Sequence, residues 1–125
     1  MAVECRIHFN TSFRSFTTKG IFLSEGYFDL YGALPLQSAV CKLEGAQSVS
    51  LFHPRNNEQY FDDPYGNDLK MYPLVDILRI IKKEYNQMIQ DGNKSSLTVA
   101  IGILEAIIQN SSQSQDELVV VLEFH

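Results

Sequence analysis

The sequence predicts one α+β domain over residues 1–125, a two-layer body in which a mixed five-stranded sheet carries two longer helices on one face. Three observations carry that expectation: strict alternation opens the chain, helical periodicity fills much of its second half, and a dense β-branched run closes it. The expected order is β-β-β-α-β-α-α-β, with a long loop after the fourth strand. The first and last strands are expected as neighbours at the sheet centre.

Val3, Cys5, Ile7 and Phe9 alternate with Glu4, Arg6, His8 and Asn10, which predicts a strand with one buried and one wet face, His8 on the wet one. Asn10, Thr11 and Ser12 supply turn chemistry. Residues 16–23 are rich in β-formers, residues 24–26 read as a hairpin loop and residues 27–31 as the return strand. Pro35 suits a first helical turn. Leu36, Ala39, Val40 and Leu43 keep helical spacing, and Gly45 can end the helix in the left-handed region. Val49, Leu51 and His53 alternate with Ser50 and Phe52, a strand closed by Pro54.

Residues 54–70 then lose all periodicity, and loops of that length tend to be functional or disordered. Tyr60, Phe61 and Tyr65 favour an ordered one. Pro73 is expected to start the longest helix, with Leu74, Ile77, Leu78, Ile81, Tyr85 and Met88 on one face and Gly92 as its stop. Residues 97–110 are apolar nearly all round. Their length and the series Leu97, Ile101, Leu104, Ile108 favour a buried helix. Gly102 either weakens that helix by about 1 kcal/mol relative to Ala or marks a close backbone contact. Residues 118–124 predict a strand inside the sheet.

A chain of 125 residues with 45% apolar residues can bury one real core. No apolar run approaches the ~20 residues of a membrane span. The first residues show no basic region followed by an apolar stretch, so a cytoplasmic protein without secretory signal is expected. A net charge of −5 argues against non-specific binding to nucleic acid or an anionic membrane. Cys5 and Cys41 are too few for a disulfide scaffold and read as two reduced, buried thiols. Residues 95–125 hold no Lys or Arg, an asymmetry that either steers a cationic partner or reflects a buried helix and strand with few places for bases.

Catalytic templates fail: the chain has no G-x-S-x-G, G-x-G-x-x-G or P-loop, and no cofactor is expected. No two histidines hold metal-ligand spacing, and residues 62–68 lack the register of a calcium loop, so no metal is expected. The most unusual segment interleaves Glu58, Asp62, Asp63 and Asp68 with Tyr60, Phe61 and Tyr65. Aromatics can bury contact area while carboxylates align with Arg or Lys, so these seven residues are the expected contacts to a partner protein with a basic surface. The competing reading is a solvated loop whose rings fold back on the body. In size, acidity and architecture, though in no particular residue, the chain resembles small acidic immunity or inhibitor proteins that bind a toxin domain.

The first expectation is therefore a protein-binding module of immunity or antitoxin type. A second is a ligand-binding or enzymatic domain with a pocket under the same loop, its polar groups being His8, His53 and Arg55 and its wall Tyr27 or Tyr31. A third is the subunit of a homo-oligomer.

Overall fold

The computed structural model describes residues 3–10, 21–22, 24–52, 58–92, 96–111 and 118–125. Its elements in chain order are β1 (Glu4–Phe9), β2 (Gly26–Tyr31), α1 (Leu34–Val40), β3 (Gln47–Ser48), β4 (Leu51–Phe52), β5 (Gln59–Tyr60), β6 (Lys70–Pro73), α2 (Leu74–Glu84), α3 (Asn86–Gln90), α4 (Ser96–Asn110) and β7 (Val119–Phe124). Five strands form one sheet in the order β2-β1-β7-β6-β3, and β4 pairs with β5 in a second, smaller sheet.

Cross-strand partners share a face, so the register sorts the side chains. Cys5 sits opposite Leu30 and Phe124, and Ile7 opposite Phe28 and Leu122. These residues face the helices and join Ile77 and Ile81 of α2 with Leu97, Ala100 and Leu104 of α4 in the main core. Fully burying each Ile, Leu or Phe among them contributes roughly 1.5–3 kcal/mol. Asp76 in the first turn of α2 and Lys82 and Lys83 in its last complement the helix dipole. Lys82 also reaches Glu105 of α4 at 3.5 Å.

The other face of the sheet is not left to water. Phe22, Val49, Leu51, Leu69 and Val121 form a second core there, with Tyr60 and Met71 against it. β7 is therefore covered on both sides: Val120, Val121 and Leu122 are all buried. This explains why that strand reads as a continuous apolar run rather than as an alternation.

The α+β class, the five strands, the interior place of β7 beside β1 and the helices on one face match the expectation. The strand directions differ from it, since all four ladders of the large sheet are antiparallel where a mixed sheet was expected. Parallel pairing among the described residues is the isolated bridge between Ile21 and Ser50. A single helix between two strands returns the chain for a parallel partner, whereas two successive long helices return it to the end it left. Pro73, the last residue of β6, accordingly pairs with Val119, the first of β7.

Other boundaries moved as well. Of the expected strand over 49–53 only Leu51 and Phe52 form a strand, β4 of the small sheet; Ser50 makes an isolated bridge to Ile21, the neighbouring β3 at Gln47–Ser48 joins the large sheet, and His53 lies outside the described residues. So does most of the expected strand over 16–23. The helix expected to run from Pro73 to Gly92 breaks at Tyr85, whose buried ring sends its hydroxyl to the Gly32 carbonyl at 2.7 Å. The longest helix is instead α4, with 15 residues. Gly102 faces open space, so it marks no close contact. Cys5 is buried and burial pushes its thiol pKa well up, but Cys41 is exposed at the end of α1, so the expectation of two buried thiols holds for one.

Candidate functional site

Part of the aperiodic stretch folds into a hydrogen-bonded excursion. β5 pairs with β4, and the chain then turns between Phe61 and Leu69. Asp63, Pro64, Tyr65 and Gly66 form a β-turn closed by the Gly66 amide on the Asp63 carbonyl at 2.9 Å, with Pro64 at the position its fixed φ favours. Gly66 sits at φ 83°, where a side chain would be strained. The Asp63 carboxylate is buried and accepts hydrogen bonds from the Tyr65 and Asn67 amides, both at 2.9 Å. The Leu69 amide closes the base on the Phe61 carbonyl at 2.8 Å.

This turn displays what the sequence singled out, with two exceptions. Phe61 is 59% exposed and Tyr65 50%, and Glu58, Asp62 and Asp68 are exposed beside them. Among the described residues no ion pair involves Asp62 or Asp68. Asp63, by contrast, faces inward as the turn's own anchor, and Tyr60 is half-buried against the second core. Asp63→Ala should therefore cost about 2 kcal/mol in denaturant unfolding, because it removes the buried carboxylate whose two charge-assisted hydrogen bonds fix the turn.

The sheet face beneath the excursion carries a polar row. Arg6 stands between Asp29 on β2 and Glu123 on β7 in the strand register. Its Nε donates to Asp29 Oδ1 at 3.1 Å, and its guanidinium lies 4.3 Å over the Tyr27 ring. His8, expected on a wet face, is instead 6% exposed. Alternation shows which side chains share a face, but not that a later segment will cover that face. Here Val121, the neighbour of His8 across the ladder, belongs to the second core.

A carboxylate only accepts, so His8 Nε2–H donates to Glu123 Oε1, at 2.9 Å. The Tyr60 hydroxyl donates to the same oxygen at 3.3 Å. Burial pushes the Glu123 carboxyl up, but His8, the Tyr60 hydroxyl and Arg6 together outweigh it and hold Glu123 below the usual carboxylate range. Burial first, and then the Glu123 charge and hydrogen bond, push Tyr60 up to about 12. Ser24 Oγ lies 3.5 Å from the other His8 nitrogen, but it donates to the Gly26 carbonyl at 3.0 Å. That proton locks the approach to β2 and leaves Ser24 without the activation a nucleophile needs.

A concavity of about 440 Å³ does lie under the turn, on the opposite, helix-side face of the sheet. Its floor is Tyr72, Leu122 and Phe124; α1 walls it with Val40 and Cys41, and Asp68 and Lys70 line its other side. His8 takes no part in it, because its side chain points through the other face of the sheet, and Tyr27 and Tyr31 are likewise absent from its lining. His53 and Arg55 lie outside the described residues. The sequence does carry a signal for this lining: Asp68, Lys70 and Tyr72 alternate with Leu69 and Met71, which enter the second core. Comparison of the chain with protein-family models, curated proteins and solved structures found no match in any of the three.

Proposed function

We propose that this protein is an acidic binding module that engages a basic partner protein through the turn at residues 58–68, in the manner of an immunity or antitoxin-like inhibitor. One observation carries the reading: a turn fastened from within by Asp63 holds Phe61 and Tyr65 out to solvent beside the carboxylates of Asp62 and Asp68. Fixed rings bind with little ordering cost, and they are the residue type that most often anchors an interface. Carboxylates at the rim speed encounter with a cationic surface and set its orientation. The free, exposed Cys41 accords with a reducing, cytoplasmic setting.

The test separates the rings from the charges. A partner recovered from the native host at low salt is titrated against Asp62→Ala/Asp68→Ala and against Phe61→Ala. The double variant should slow association about tenfold at low salt and flatten its salt dependence, with thermal stability unchanged. Phe61→Ala should act mainly by faster dissociation. Asp62 and Asp63 look like the natural pair in the sequence, but Asp63 also holds the turn, so that pair would confound folding with binding. Binding by both variants at the wild-type rates would overturn the reading.

A further inference from the structure

We infer that the concavity between α1, the turn and β6 is a small-molecule site for a ligand carrying an ammonium and a carboxylate on an apolar body, the chemistry of an apolar amino acid. At about 440 Å³ it lies in the ~300–1,000 Å³ range of small-ligand pockets. Tyr72, Leu122 and Phe124 give it an apolar floor, and Val40 continues that surface onto α1.

Three charged residues line the concavity: Asp63, whose carboxylate is already engaged by the Tyr65 and Asn67 amides, and Asp68 and Lys70 at the entry to β6. Asp68 and Lys70 are two residues apart, so in extended chain their side chains leave on the same side with about 7 Å of backbone between them. Neither enters an ion pair among the described residues. An acceptor and a donor of opposite sign thus stand together over one apolar floor. A purely cationic ligand would meet Lys70, a purely anionic one would meet Asp68, and a ligand with both charges satisfies the two at once. This site does not depend on the protein-binding role of the turn, and its test uses no protein partner.

Cys41 at the rim supplies the readout. Cys5 is fully buried and its thiol is pushed up by burial, so a disulfide reagent added to the folded protein reports on Cys41. L-leucine and L-phenylalanine at saturation should slow Cys41 labelling at least tenfold and raise the thermal midpoint. At equal concentration 4-methylpentanoate, which lacks the ammonium, and 3-methylbutylamine, which lacks the carboxylate, should do neither. Asp68→Asn and Lys70→Met should each raise the concentration of L-leucine needed by about tenfold or more, the usual worth of a hydrogen bond to a charged group. Both positions are exposed, so neither variant threatens the fold. Absence of protection by either amino acid, equal protection by all four compounds, or protection by L-leucine unchanged in both variants would overturn the assignment.

Discussion

Glu123→Ala should destabilise the protein by about 3 kcal/mol in denaturant unfolding, far more than a surface carboxylate is worth. One oxygen of Glu123 accepts from His8 at 2.9 Å and from Tyr60 at 3.3 Å. The side chains of His8 and Glu123 are 8% and 14% exposed, so water cannot replace the lost acceptor without opening the second face of the sheet. Removing Glu123 takes the acceptor from the buried His8 Nε2–H, and that penalty dominates. Glu123→Gln keeps the shape and isolates the charge. The carboxyl titrates near 4.5 when unperturbed and lower in the fold. Its stabilisation is therefore complete above about pH 4.5 and is lost as the pH falls through the folded value. The gap between wild type and Glu123→Gln should be widest above that pH and close in acid. A gap that stayed constant with pH, or Glu123→Ala costing under about 0.5 kcal/mol, would show that the cluster is as solvated as an ordinary surface pair.

That cluster also marks where the sequence stopped being legible. The alternation of β1 separates Cys5, Ile7 and Phe9 from Arg6 and His8 correctly, because side-chain period is local. It gives no sign that Phe22, Leu51 and Leu69 will build a second core on the sheet face of His8 and Val121, because that depends on contacts between distant segments. α4 is legible from its length and apolar series, and β7 from its β-branched run, since each is buried on most sides and its composition says so. The excursion is legible as an outlier and illegible in its parts. Five acids and rings of that segment face solvent as expected, but Asp63 and Tyr60 have inward partners that nothing in their spacing announces. The cavity is illegible for a related reason. Its wall alternates over Asp68, Lys70 and Tyr72, but the pattern is short and begins inside a turn, where alternation is easily taken for irregular chain.

The second core predicts how the displayed turn is held. Leu69 is 0% exposed in a cluster of five buried residues, and Leu69→Ala should cost about 3 kcal/mol by lost transfer energy and the void left behind. Its backbone matters as much as its side chain: the Leu69 amide bonds Phe61 at 2.8 Å, and the Val49 amide bonds the Leu69 carbonyl at 2.9 Å. Loosening this residue should release the turn and the β4–β5 pair before the rest of the sheet, because the main core on the helix side shares no buried side chain with this cluster. Hydrogen exchange distinguishes the cases. In Leu69→Ala the amides of Val49, Asn67 and Leu69 should lose protection first, while those of the β1–β7 ladder keep theirs up to global unfolding. A uniform loss across both sets would mean that the two cores melt as one, and that the turn is presented by the whole domain rather than by its own small hydrophobic foot.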